Sequence, residues 1–148
     1  MKNLAALLLL TAVACAVAPH ASRETEDQAK RFAAPADDRS TVYIYRTGNP
    51  LGGALLTDLW LDGQIAGSLG PREFLTFDVE PGPHSVSLRH AGVAEATSIE
   101  TPAGSVVFLS FLYGALGLVQ IDDETGRKHV AAYRMAWSPR NGQGALER

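Results

Sequence analysis

From residue 41 onward the sequence predicts an all-β domain, an antiparallel β-sandwich built from short strands. Three observations carry that prediction. Runs rich in Val, Ile, Tyr, Phe and Thr recur at intervals of about ten residues, separated by Gly, Pro and Asp, which is the spacing of a sandwich rather than of alternating βαβ units. No window sustains a helical period. An Asp62-Gly63 pair stands between the apolar runs Leu59-Trp60-Leu61 and Gln64-Ile65-Ala66, and Asp-Gly supplies the positive φ angles of a two-residue type I′ hairpin.

The chain starts quite differently. Lys2 provides a positive first segment, residues 4–14 an apolar run, and Ala12-Val13-Ala14 a small-residue stretch before Cys15, the pattern of an export signal. The run is shorter than the ~20 apolar residues of a membrane span. Residues 1–14 therefore read as a signal peptide. Cys15, the only cysteine of the 148 residues, falls at the cleavage point, and a lone cysteine in an exported chain calls for a specific role. The segment resembles the lipobox of bacterial lipoproteins, which implies a diacylglycerol on Cys15 and attachment to a membrane through it. Ala12-Val13-Ala14 also suits ordinary secretion without lipid. Ala16 rather than Asp after the cysteine implies, by the same resemblance, an outer-membrane lipoprotein facing the periplasm.

Residues 15–40 are rich in Ala and charge, interrupted by Pro19 and Pro35, and almost lack large apolar side chains. They read as a flexible tether, with a short helix over 23–33 as an alternative; 25 flexible residues span roughly 25–30 Å. The β domain is assigned to 41–137, with strands expected at 41–46, 55–61, 64–69, 73–79, 84–90, 94–100, 105–113, 116–121 and 128–135. The hairpin register sets Leu61 against Gln64, Trp60 against Ile65 and Leu59 against Ala66, with apolar residues on both faces. Phe74, Leu75, Phe77 and Val79 form the next run, which ends at the turn Glu80-Pro81-Gly82-Pro83. After it Val86 and Leu88 alternate with Ser85, Ser87 and Arg89, an inward and an outward set. Residues 106–121 are strongly apolar but too short for a span, and Gly114 and Gly117 interrupt them; a buried hairpin bent at the glycines accounts for them. The polar, Gly-rich residues 138–148 read as a disordered tail.

The stretch from Trp60 to Leu69, followed by Phe77-Asp78-Val79-Glu80-Pro81-Gly82-Pro83-His84, resembles the PEGA-like pattern of strand, Asp-Gly turn, strand and Pro-Gly-x-His turn. With Thr41-Val42-Tyr43-Ile44-Tyr45-Arg46 and residues 116–127, the resemblance narrows to bacterial lipoprotein domains of unknown function over roughly 41–135. It implies a PEGA-like or transthyretin-like sandwich and no catalytic residues.

The formal net charge is −3 and becomes −4 when Lys2 leaves with the signal peptide. No Lys/Arg cluster marks a nucleic-acid footprint, so DNA and RNA are excluded as partners. Without a second cysteine the domain is held by its apolar core alone. His20 lies in the tether, and His84, His90 and His129 sit at three different element ends. No metal site or cofactor is predicted, since His84 and His90 are ~20 Å apart along one strand. Asp122-Asp123-Glu124 offers oxygen ligands of the kind Ca²⁺ takes, though a solvated turn explains it as well. No Gly-x-Ser-x-Gly elbow occurs, and Cys15 is committed to the anchor, so no enzyme is predicted. Tyr43 and Tyr45 alternate with Val42 and Ile44, and with Trp60 they are the candidate ligand contacts, able to stack on a sugar or a partner if they face outward. The expected role is binding or scaffolding in the cell envelope, the partners being the membrane and another envelope protein.

Overall fold

The computed structural model describes residues 19–48, 55–90, 93–112 and 117–141. The signal peptide, Cys15 and residues 142–148 of the tail lie outside the described residues. In chain order the elements are helix α1 (Arg23–Ala29), strands β1 (Ser40–Arg46), β2 (Thr57–Leu61), β3 (Gln64–Leu69), β4 (Glu73–Val79), β5 (Gly82–His90), β6 (Val93–Thr101), β7 (Val106–Phe111) and β8 (Val119–Ile121), helix α2 (Asp123–Ala132), strand β9 (Arg134–Met135) and a single 3-10 turn, Pro139–Asn141.

Two sheets pack as a sandwich. One has the order β8-β7-β1-β4-β9, the other β3-β2-β5-β6. The second is antiparallel throughout. The first is mixed, because β1 runs parallel to β7 and β4 parallel to β9; the β-sandwich expected above is present, with these two parallel pairs in one of its sheets. Parallel neighbours require the chain to cross over, and here β1 reaches β7 only after the whole four-stranded sheet has been built. The interior between the sheets is apolar, with Val42, Ile44, Leu59, Leu61, Leu75, Phe77, Val86, Leu88 and Leu109 all nearly or fully enclosed.

The Asp-Gly turn forms as its chemistry demands, Asp62 at φ 51° and Gly63 at φ 75°. Leu61 pairs with Gln64 and Trp60 with Ile65, but Leu59 pairs with Gly67 and not with Ala66, because a bulge intervenes. Gly67 sits where a side chain would not fit: a Cβ there would lie 2.9 Å from Leu75 and 3.0 Å from the Trp137 carbonyl. The bulge supplies the extra residue that puts both Ala66 and Leu69 into the core. The hairpin is not covered on both sides, since Ile65 stays 42% exposed.

The strand expected at 128–135 is a helix, α2, followed by two residues of β9. Asp122 caps it by accepting from the Thr125 amide at 2.9 Å, and Arg127 pairs with Asp123 one turn away at 2.7 Å, both standard helix-start devices. Its buried positions are Gly126 and Val130. One of the two carries no side chain, so a count of apolar residues shows no helical period.

The expected tether is likewise part of the fold from Pro19 on. Ser22 caps α1, Ala21 is buried, and the Ala21 and Trp137 amides bond to Met135 and Pro19 carbonyls. Glu26 accepts from the Met135 amide at 3.0 Å and from Lys30 at 2.6 Å. Apart from Phe32, the contacts are made by alanines, a glutamate and main chain, which is why the composition reads as solvated. Residues 138–141 of the expected tail are likewise held in the fold: Ser138 is buried and donates to the Ala66 carbonyl at 2.6 Å, and Asn141 donates to the Thr76 carbonyl at 3.0 Å.

Residues 106–121 do form an antiparallel pair, Phe108 opposite Ile121 and Ser110 opposite Val119, with Gly117 at φ 89°; Gly114 lies outside the described residues. β7 is buried, but Val119 of β8 is 60% exposed. Among the described residues no helix is long and apolar enough to cross a membrane.

Candidate functional site

The face of the five-stranded sheet that looks away from the sandwich is not open. α1, Phe32 and α2 lie over it, and a second apolar cluster forms there with Tyr43, Tyr45, Phe74, Phe108, Val130, Tyr133 and Met135. Tyr43 stacks on Phe108 with centroids 5.0 Å apart and donates its hydroxyl to the Ala29 carbonyl at 2.8 Å. A hydrogen bond of 2.9 Å joins the Tyr45 hydroxyl to His129 Nδ1, and the His129 ring stacks on Tyr133. Burial pushes both phenols above their ordinary range. With exposures of 3% and 0%, neither can stack on a sugar from solvent; as ligand contacts both are corrected, because two short helices close the face they occupy.

Trp60 stands elsewhere, on the outer face of the four-stranded sheet. Inward Leu59 and Leu61 on either side force its side chain outward. It lies across from Ile65 on β3 and Ser87 on β5, and the Arg89 guanidinium sits 4.2 Å from its ring centre, a cation–π contact. Asp58 and Ser68 bond at 2.6 Å beside it. Further along, β5 and β6 present Ser85, Ser98, Ala94 and Ala96 to solvent. The result is a low platform of small side chains with one aromatic ring and one arginine at its centre. Of the three sequence-predicted contacts, Trp60 alone is on an accessible surface, and the structure does not bring it together with the tyrosines.

A groove of about 440 Å³ opens on the other side, where α1, the border of β4 and the last turn meet. It is lined mainly by Thr25, Gln28, Thr76, Asp78, Arg140 and Asn141. Sequence reasoning missed it because the α1 wall reads as tether and the Arg140-Asn141 wall as tail.

The titratable groups resolve into structural roles. His84 lies between two acceptors, Asp62 Oδ2 at 2.8 Å and the Glu80 carbonyl at 2.7 Å, and Asp62 Oδ1 accepts from the Ser85 amide at 2.9 Å. Burial pulls the imidazole down, but Glu80 and Asp62 outweigh it and raise its pKa above the ordinary value of 6.5. For Asp62 burial acts upward, and the Ser85 amide with His84 wins, holding the carboxyl low. The clip ties the Asp-Gly hairpin to the Pro-Gly turn. His20 pairs with Glu73 at 2.7 Å, whose other oxygen accepts from the Gly70 amide at 2.7 Å. Asp122 and Asp123 are engaged in starting α2, as described. Among the described residues no group of three or more His, Cys, Asp or Glu side chains is placed to hold a metal ion.

Residues 36–123 match the family model described as protein of unknown function DUF2846. The matched span runs from the turn before β1 to the first residue of α2, so it holds both sheets except β9 and neither covering helix. The chain is also similar to an uncharacterized protein of Haemophilus influenzae, 32% identical over 137 residues, which is 88% of this chain and 80% of that relative. The two likenesses agree, and the chain belongs to the DUF2846 family, whose function is unknown.

Proposed function

We propose that this protein is a lipid-anchored domain of the bacterial cell envelope that acts by binding or scaffolding and catalyses no reaction. The observation that carries the reading is the sole cysteine, placed directly after Ala12-Val13-Ala14 at the end of an apolar run. Acylated there, the mature chain is held on the outer membrane facing the periplasm, with a PEGA-like sandwich as its working part. The clip of Asp62 and His84, which joins the two turns of the PEGA-like pattern, supports that likeness. The partner is another envelope protein, and the accessible platform around Trp60 and Arg89 is the surface offered to it.

Intact-mass analysis of the native protein from membranes tests the anchor. A lipid-sized mass increment, lost on Cys15→Ser, is the expected result. A mature chain without lipid would overturn anchoring and leave the secreted, diffusible form. Crosslinking in intact cells through a photoreactive group at Ile65 then tests the platform, an adduct with an envelope protein being expected.

Trp60, half-buried beneath Arg89 on the outer face of its sheet, also favours a second reading, a glycan-binding module. With Tyr43 and Tyr45 enclosed, Trp60 alone remains for that role. Peptidoglycan fragments would quench tryptophan fluorescence in the wild type and not in Trp60→Phe; no quenching at millimolar concentration would remove the reading.

A further inference from the structure

Among the described residues the longest open border belongs to β6. It is the last strand of its sheet and pairs with β5 without a break from Gly82↔Thr101 to His90↔Val93. The Asp62 amide bonds to the Ser85 carbonyl at 2.8 Å, so Ser85, Ser87 and Arg89 aim their main-chain groups at β2. His84, Val86 and Leu88 must then aim theirs at β6, where they meet Ile99, Thr97 and Glu95. By the alternation of an antiparallel ladder, Ala94, Ala96, Ser98 and Glu100 turn both N–H and C=O to the free side. Among the described residues no backbone bond reaches them.

Natural sheets blunt such borders with short strands, bulges, proline or charged side chains, inward-pointing ones included. The other borders among the described residues follow that rule: β8 has three residues and β9 two, while β3 is bulged and has Ser138 on its Ala66 carbonyl. β6 is nine residues long, without proline, lysine or bulge, and its two charges are Glu95 and Glu100. Glu95, on its inner face, lies beside Gly117. On its outer face Ala94, Ala96 and Ser98 are small and exposed.

We propose that β6 pairs antiparallel with β6 of a second copy of this chain, about a twofold axis at Thr97. In this register Ala94 meets the partner's Glu100 and Ala96 meets the partner's Ser98, so every free N–H and C=O of the four residues is used at once. An axis at Ser98 would set Ala94 against Pro102, which has no N–H, and an axis at Ala96 would carry Glu100 past the start of the opposite strand. The side chains agree. Glu95 faces Ile99 and no carboxylate faces another, while each Glu100 comes to lie beyond Ala94, one strand from the Arg89 that pairs with it. An isologous twofold contact of this kind is the commonest way identical chains associate. The inference stands whether or not Cys15 carries lipid, and leaves the Trp60 platform free.

The test uses the full chain with Cys15→Ser, in detergent solution, by sedimentation equilibrium. A mass twice the 15.8 kDa of the chain is expected. Ala96→Pro removes an N–H that points away from β5 and occurs once in each copy, so it should raise the dimer dissociation constant at least about tenfold and leave the monomer's circular dichroism unchanged. Thr97→Cys, then the sole thiol, sits at the axis in a non-bonded pair with Cα atoms ~4.5 Å apart, within disulfide range. Mild oxidation should link it into dimers, and should not link Ala94→Cys. A monomer at every concentration to about 1 mM, the weak end of specific association, would overturn the proposal. So would a dimer that Thr97→Cys does not trap, a result that stands even if Ala96→Pro fails to fold.

Discussion

Replacing Gly126 by alanine should destabilise the protein, although the residue lies within a helix, where alanine is normally the better choice. A Cβ at this position would lie 2.2 Å from Phe108 Cγ and 2.6 Å from Phe108 Cβ and Cδ1. Carbon atoms in contact prefer about 3.5–4.0 Å, so helix and ring must separate by more than about 1 Å. The ring has nowhere to go: Phe108 is 1% exposed and packs on Tyr43 and Phe32. The helix must therefore lift, which strips cover from Tyr45 and Tyr133 as well. Helix propensity favours alanine by about 1 kcal/mol, and overpacking typically costs about 1–3 kcal/mol, occasionally more. A clash this short belongs at or above the top of that range, leaving a net loss of about 2 kcal/mol, or a Tm lower by roughly 6–10 °C. Urea unfolding of Gly126→Ala beside the wild type measures it. Phe108→Ala, which alone leaves a cavity, should relieve the clash, so the double variant should be more stable than the two single losses added together predict. A Gly126→Ala protein as stable as the wild type would refute close packing of α2 on β7.

The clip between the two hairpins predicts a pH dependence. The pKa of His84 is raised in the folded state, so its contribution to stability is full below about 6.5 and disappears as pH rises through the folded value; that of Asp62 is lowered, so its contribution is present above the ordinary carboxylate range and disappears as pH falls through the folded value. The difference in urea midpoint between wild type and His84→Gln should therefore be largest in the mildly acidic range and shrink above neutrality, and an NMR titration placing His84 at or below 6.5 would contradict it. Glu26 ties α1 to β9. Burial acts upward on its carboxyl, but Lys30, the Met135 amide and Arg134 hold it below its ordinary value. Glu26→Ala leaves the Met135 amide without that partner and should cost about 1–3 kcal/mol, with trypsin cutting after Arg23 and Arg31 before the rest of the chain; unchanged protection of those sites would show that α1 is held by other contacts.

The sandwich was legible because its strands obey local rules. Val86 and Leu88 alternate with polar neighbours, and Asp62-Gly63 names its own turn, so the border of each element is written within a few residues. The cover on the five-stranded sheet was not legible, for a shared physical reason. The N-terminal segment touches the sheet through Ala21, Ala29 and a glutamate, with Phe32 its one large apolar contact; α2 touches it through Gly126 and Val130. Small residues allow close approach and so bury little surface per side chain, and a glycine registers in no hydrophobic pattern. Tyr43 and Tyr45 held the one available signal. A strand whose residues are apolar on both faces, as 41–46 is, needs a layer on each, and two aromatic residues on the second face require a covering element that the strand pattern alone does not identify.

That second layer decides where the protein can act. With the sandwich interior closed by two sheets and the outer face of the five-stranded sheet closed by two helices, the outer face of β3-β2-β5-β6 and its β6 border are, among the described residues, regular surfaces left to solvent. Cover can be built from small residues in many ways, whereas a platform with Trp60 under Arg89 and an unblunted strand beside it is a specific arrangement. A substitution that disturbs Trp60 or Ala96 without moving Tm should therefore impair the protein's role in the cell, while Tyr45→Phe, which removes the hydroxyl that bonds His129 beneath the helical cover, should lower stability and leave that role intact.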